Sequence, residues 1–331
     1  MSLKYHGLLF SDGRAFTIND EDAKQIRGAF SSFTSILLWT RTEIRFVNDP
    51  WGFGGTIDLK NKILNDDVIV KIELCDIQEA PSEAWGRVYV LSRSGNLLVL
   101  QSSKTNCLES CRLIQQDVSR MTTNSEGIFY TKAGQICLIP HSDLEVHIPQ
   151  IADFDAFEIC AGHSHLLALS ADGTVYSMGS SGRFGELGHG EMLPCLKLTP
   201  ILALEGIRMT QIACGGFHSA AISEFGDVYL WGRGQIGSSD SAALPSLAKL
   251  PESMEWTQVA CGLNFTIVKN SQEEVWGVGD NRYGQVSKNP VVSVVDFEQM
   301  QSVADPKSQR VDIWANPSSW GCFLAQNVSS K

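Results

Sequence analysis

Apolar and polar positions along this chain fall into short alternating segments broken by polar turns, and one such arrangement is written twice. The first copy, ICAGHSHLLALSADGTVYSMG, runs from Ile159 to Gly179. The second, IACGGFHSAAISEFGDVYLWG, runs from Ile212 to Gly232, an offset of 53 residues. Each has an apolar start, a small-residue and glycine turn, a His followed by apolar residues, a polar turn, and an alternating apolar segment ending in Gly. Period-two alternation predicts half-buried strands. Gly173 and Gly226 supply the positive φ that a tight hairpin between such strands needs. The same hairpin recurs at Val88 to Leu100, with its turn at Gly95, and at Ile128 to Leu138, with its turn at Gly134. Two degenerate copies keep the strand pattern without the glycine: Ile36 to Val47, turning at Arg41-Thr42, and Ile267 to Gly279, turning at Gln272-Glu273.

These six hairpins recur at the spacing of repeated structural units, none of which can bury its apolar face alone. A seventh start, Val311 to Gln326, lacks its outer strands, and Leu3 to Phe10 is an apolar stretch with no hairpin partner. The pattern predicts an all-β chain, a single seven-bladed β-propeller over 1–331. Its repeats lie near 26–47, 72–100, 118–139, 159–190, 212–237, 259–286 and 311–326. The ring is closed by residues 3–10 pairing into the C-terminal blade, which protects sheet edges. Segments 48–76, 191–208, 238–255 and 287–309 read as inserts crossing one rim, with a helical turn conceivable at Pro251 to Trp256.

Composition narrows the function. A net charge of −11 and a pI of about 5.1 argue against a basic footprint for nucleic acid or an anionic membrane, and permit a basic partner. The first thirty residues show no secretory signal, and no apolar run reaches membrane-spanning length. The nine scattered cysteines therefore read as reduced thiols of the nucleus or cytoplasm.

The combination CGxxHS, a Gly-turned hairpin ending VYxWG and a glycine-rich tail resembles the repeat of the regulator of chromosome condensation family. The tails are SGRFGELGHG (Ser181 to Gly190), a truncated RGQIG from Arg233, and DNRYGQV (Asp280 to Val286). The match is strong over about 160–290 and rests on hairpin pattern alone before that. Within the family, Leu187 to Gly232 is most similar to a small single-propeller member that partners a JmjC-domain dioxygenase. The resemblance implies a seven-bladed propeller and a non-enzymatic scaffold or regulatory role around histone modification and chromosome segregation in the nucleus. A histone is a further partner it implies. Two other functions follow from the family: exchange of guanine nucleotide on a small GTPase, and reading of histone peptides. The family founder's basic N-terminal tail has no counterpart in MSLKYHGLLF.

Candidate residues were weighed against their place in the repeat. His163 and His165, near Cys160, have zinc-ligand character. Yet His165 recurs as His218 and then Phe265, so a structural role between blades accounts for it better. Gly162, Gly215, Gly262 and Trp231 belong to the same repeated set. Cys160, Cys214 and Cys261 stand at blade starts, where small buried residues fit. Cys107 and Cys111 have no second pair. No catalytic triad, phosphate loop, cofactor site or metal site emerges. The loops that depart from the repeat carry Arg183, Phe184, Arg233, Arg282 and Tyr283, and the first such segment carries Trp51 and Phe53. Arg and aromatic side chains are favoured interface anchors, which makes these seven the candidate partner-binding residues.

Overall fold

The computed structural model describes residues 2–7, 25–31, 36–46, 55–59, 67–75, 84–103, 108–150, 152, 154–234, 241–251, 254–287, 293–300, 309–317 and 321–328. Among them, the strands form six four-stranded antiparallel sheets and one three-stranded sheet. The chain divides into two compact units, Gln25–Asp155 and a second that joins the N-terminal strand to everything from Ala156 onward.

In the second unit, the N-terminal strand β1 (Ser2–Gly7) is paired with the C-terminal hairpin described below. The first unit holds three sheets. Sheet I is β2 (Gly28–Ser31), β3 (Ile36–Trp39), β4 (Glu43–Phe46) and β5 (Thr56–Asp58). Sheet II is β6 (Ile69–Cys75), β7 (Ala84–Ser92), β8 (Leu97–Ser103) and β9 (Leu108–Gln115). Sheet III is β10 (Val118–Thr123), β11 (Gly127–Lys132), β12 (Gln135–Pro140) and β13 (Ile148–Gln150). The second unit continues with sheet IV, made of β14 (Ala156–Ala161), β15 (His165–Ser170), β16 (Val175–Gly179) and β17 (Cys195–Pro200). Sheet V is β18 (Met209–Cys214), β19 (His218–Ser223), β20 (Val228–Arg233) and β21 (Ser241–Leu247). Sheet VI is β22 (Trp256–Cys261), β23 (Phe265–Asn270), β24 (Val275–Asp280) and β25 (Ser293–Gln299). Sheet VII is ordered β1, β27 (Gly321–Val328), β26 (Gln309–Trp314), with Ser2 opposite Gln326 and Gly7 opposite Gly321.

The second strands of sheets I, IV, V and VI are buried along their whole length, as in HLLALS, HSAAIS and FTIVKN. Such a strand has a neighbour on each edge and a packed sheet on each face, so apolar and small residues fill both of its faces. Adjacent residues then serve opposite neighbours. Ala221 packs with Leu167 and Leu169 of sheet IV, whereas Ala220 packs with Val259 and Val268 of sheet VI. Phe265 and Ile267 continue the stack onto Val311 and Ile313 of sheet VII. In the first unit, sheets I and II share one cluster and sheets II and III another.

The segments read as rim-crossing inserts supply the outermost strands: β5, β17, β21 and β25 all lie within them. Their exposure explains the misreading. An edge strand wetted on both faces keeps no clean alternation, as β17 and β21 show, and it tolerates proline. Pro245 lies within β21 where the register against β20 shifts. No helix forms at Pro251 to Trp256 among the described residues; Met254 N–H turns back onto the Pro251 carbonyl, and Trp256 opens β22.

Side chains also clamp backbone across sheets. Lys71 Nζ reaches the Met121 carbonyl at 2.6 Å, and Glu73 accepts the Thr123 N–H and hydroxyl. Lys269 Nζ donates to the Val311 carbonyl at 2.7 Å, while Glu273 accepts the Val311 N–H at 2.6 Å and pairs with Lys269 at 3.0 Å. This clamp accompanies the missing glycine in that hairpin: Glu273 takes φ +65° at its turn, where Gly173 and Gly226 sit in sheets IV and V.

Candidate partner-binding surface

The surface is built on the turns that join the first and second strands of sheets IV, V and VI. These turns are chained by backbone hydrogen bonds: His163 N–H to the Gly216 carbonyl at 3.0 Å, and Gly216 N–H to the Leu263 carbonyl at 3.1 Å. Behind each turn lies a ring packed flat on a glycine. A Cβ at Gly162, Gly215 or Gly262 would stand 2.0 Å from a ring carbon of His165, His218 or Phe265 respectively. Glycine is required there because the ring occupies the space of a side chain.

The two histidines reach the next sheet. His165 Nε2 lies 3.0 Å from Ser219 Oγ, and His218 Nε2 lies 3.0 Å from Thr266 Oγ1. Ser219 spends its own proton on the Glu186 carbonyl at 2.9 Å, so it accepts from His165 Nε2–H. That assigns the tautomer and leaves the buried His165 Nδ1 as an unprotonated lone pair without a partner among the described residues. Burial holds both rings neutral, pushing His165 down to about 3 and His218 down to about 4. Trp231, fully buried, donates Nε1–H to the same Glu186 carbonyl at 2.9 Å.

Sheet V therefore grips the loop between the third and fourth strands of sheet IV, and the grip fixes the residues two positions earlier. Glu186 Oε2 accepts the Phe184 N–H at 2.8 Å. The same small turn recurs between the third and fourth strands of sheet VI, where Gln285 Oε1 accepts the Tyr283 N–H at 2.9 Å. On this support Phe184 stands half-buried, with the Arg183 guanidinium 4.7 Å and the Arg233 guanidinium 4.9 Å from its ring centroid. Phe217 meets Phe184 edge-on at 5.1 Å and His163 at 5.6 Å. Arg183, Arg233 and His163 are exposed, and neither arginine is in an ion pair among the described residues. The result is an aromatic patch flanked by two cations without an ion-pair partner among the described residues, on a chain whose net charge is −11.

Of the residues singled out in the sequence, Arg183, Phe184 and Arg233 come together here. Arg282 and Tyr283 form a second element, between the third and fourth strands of sheet VI. There the Arg282 guanidinium is tied to Asp280, with Nε–Oδ1 at 3.0 Å, and lies 6.0 Å from the Tyr283 ring centroid. Trp51 and Phe53 lie outside the described residues. Phe217 and His163 were missed. Both occupy the variable slots between the repeated Gly and the repeated ring residue, and that departure from the repeat was the available signal. Among the described residues, no cluster of three His, Cys, Asp or Glu side chains is placed to hold a metal ion. Among the described residues, no helix is long and apolar enough to cross a membrane.

The regulator of chromosome condensation (RCC1) repeat model matches residues 172–222 and 226–268, and a second model of that repeat matches residues 256–285. Human RCC1 domain-containing protein 1 is 26% identical over 242 residues, covering 58% of this chain and 64% of its own length. The Ultraviolet-B receptor UVR8 of Arabidopsis thaliana is 35% identical over 171 residues, covering 49% of this chain and 39% of its own. Human E3 ubiquitin-protein ligase HERC2 is 36% identical over 135 residues, which are 39% of this chain and 3% of that protein. The chain thus spans less than two thirds of each of these relatives. Among solved structures, yeast RCC1 (Prp20) bound to Kap60 superposes with a TM-score of 0.76 at 12% identity, covering 100% of this chain and 89% of that one. Human WBSCR16 superposes with a TM-score of 0.74 at 14% identity, covering 99% of both chains. The four-stranded sheets stack as blades of the fold that these structures share. The chain therefore carries RCC1 repeats between residues 172 and 285 and has the β-propeller fold of these RCC1-like structures.

Proposed function

We propose that this chain is a non-catalytic scaffold or regulatory subunit that docks a protein partner on the Arg183–Phe184–Phe217–Arg233 patch. The partner is a JmjC-domain oxygenase acting on chromatin in the nucleus, in histone modification and chromosome segregation. The patch carries this reading. Two exposed guanidiniums over one aromatic ring, with no ion-pairing carboxylate among the described residues, make a surface that takes up an anchor residue and its flanking acids. Although the molecule is acidic, the chemistry at contact range is cationic, so the docking segment presents carboxylates beside an apolar or aromatic side chain. The oxygenase rests on the resemblance of Leu187 to Gly232 to the small single-propeller member of the family that partners such an enzyme.

The test is calorimetric titration of the oxygenase into wild type and into an Arg183→Ala/Arg233→Ala variant. Both side chains are exposed, so the melting temperature stays near wild type. Affinity falls about tenfold or more, roughly 1.4 kcal/mol, and the remaining difference shrinks with salt. Unchanged affinity in a folded variant would remove this patch from the interface.

A second reading is supported by one neighbour. Prp20p of Saccharomyces cerevisiae, TM-score 0.75, was solved together with its binding to Gsp1p and histones. Exchange-factor activity predicts accelerated nucleotide release from a small GTPase, and histone reading predicts retention on peptide arrays without the oxygenase. The scaffold predicts neither.

A further inference from the structure

Cys160 and Cys214 are not equivalent in the repeat. Alignment on Gly162, Gly215 and Gly262 places Cys214 with Ala161 and Cys261, and Cys160 with Ala213 and Ala260. A displacement of one residue along a strand reverses the face that a side chain serves. Cys214 accordingly packs back among Leu167 and Leu169 of sheet IV, whereas its neighbour Ala213 packs forward against sheet VI. Cys160 joins the same cluster as Cys214 from the sheet IV side. The two thiols meet across the sheet boundary with their Sγ atoms 3.0 Å apart, and Cys214 Sγ lies 3.2 Å from the Cys160 carbonyl oxygen. Cys160 is half-buried and Cys214 is 5% exposed, so a small solute meets Cys160 first.

Cys261, Cys322 and Cys195 lack this arrangement. Cys261 faces Ala213 where a thiol would be needed, and both Cys261 and Cys322 are fully sequestered with their thiols pushed up by burial. Half-buried Cys195 has hydroxyl and carbonyl neighbours, Thr199 and Lys197.

We propose that Cys160 and Cys214 are an oxidative modification site, closing a disulfide between sheets IV and V on reaction with a hydroperoxide. Cys160 sulfur attacks the peroxide; the O–O bond breaks, an S–O bond forms, and water or the corresponding alcohol leaves. Cys214 sulfur then attacks that sulfenic acid. The S–S bond forms, the S–O bond breaks, and the hydroxyl departs as water with the Cys214 proton. The two thiols lose two electrons together and the peroxide gains them. Each cysteine stands three residues before a ring of the aromatic patch, His163 or Phe217, so the crosslink joins the strands that lead into it. The site rests on thiol geometry and is independent of the partner assigned to the patch.

The experiment uses the full chain, reduced, exposed to equimolar hydrogen peroxide, blocked with N-ethylmaleimide and digested without reductant. The expected product is a peptide pair joined through Cys160 and Cys214, in yield well above any other pairing and reversed by dithiothreitol. Cys160→Ala, the residue that sheets V and VI use at that position, abolishes the crosslink and leaves Cys214 open to alkylation at wild-type melting temperature. Cys214→Ala gives the reciprocal result if the first variant folds poorly. The proposal is overturned if Cys160 proceeds to sulfinic acid while Cys214 remains a thiol. It is equally overturned if Cys160 is oxidised no faster than Cys195, or if the pairings are scrambled.

Discussion

Acid should loosen this protein through two buried histidines, and the structure fixes where. His165 and His218 are 1% and 0% exposed, each ring lies on a glycine, and each spends Nε2 on a hydroxyl of the next sheet. An ordinary histidine titrates at 6.5, but burial lowers these to about 3 and about 4. Between those limits the unfolded chain binds two protons that the folded chain refuses, so stability falls as the pH falls below 6.5 and is fully present above it. A pH of 5 lies about 1.5 units below the ordinary value of each unfolded histidine, roughly a thirtyfold shift in the unfolding equilibrium. Together they give about a thousandfold, on the order of 4 kcal/mol. For a unit of this size that is a drop of roughly 10 °C in melting temperature.

The comparison is a His165→Phe/His218→Phe variant. Sheet VI already places Phe265 on Gly262 at the equivalent position, so the substituted rings have a working precedent in the same molecule. His141 and His189 are also lowered by burial, but they remain in both proteins and cancel in the difference. Thermal and urea unfolding are followed at pH 7.5, 6 and 5. The wild type loses the stated stability relative to the variant, with nearly all of the loss below pH 6.5. A wild-type-minus-variant difference that stays flat from pH 7.5 to 5 would falsify the assignment of buried neutral rings.

Three further outcomes test the packing. Gly215→Ala places a methyl 2.0 Å from the His218 ring and should cost roughly 1–3 kcal/mol in urea unfolding, with part of the loss recovered when His218→Ala is added. Glu273→Ala strands Lys269, whose side chain is 8% exposed, and unties Val311; a loss of about 3 kcal/mol is expected, with Lys269→Met/Glu273→Gln closer to wild type. Deleting residues 2–7 removes the strand paired along β27 and exposes its edge, so light scattering should report aggregation; a deleted chain that melts with the wild type would show the pairing to be dispensable.

What could be read from the sequence follows from how many constraints act on a residue at once. In β15 and β19 every position faces a packed neighbour, so HLLALS and HSAAIS repeat almost letter for letter in character and reveal the unit. In β17 and β21 most positions meet water, the alternation dissolves, and Pro245 is tolerated, so strands were read as inserts. The surface patch sits between these extremes. Arg183, Phe184 and Arg233 were visible because they interrupt glycine-rich tails, but Phe217 and His163 were hidden beside the repeated His218 and His165, which drew the attention. The tie of Arg282 to Asp280 was local enough to anticipate, an acid two residues before a base, and it separates that arginine chemically from the pair over Phe184. Repetition thus has two uses in this chain. Where copies agree, as at Gly162, Gly215 and Gly262, they report the packing that any such unit needs. Where they differ by a single residue, as Cys160 does from Cys214, period-two geometry turns the difference into a contact that no single copy shows.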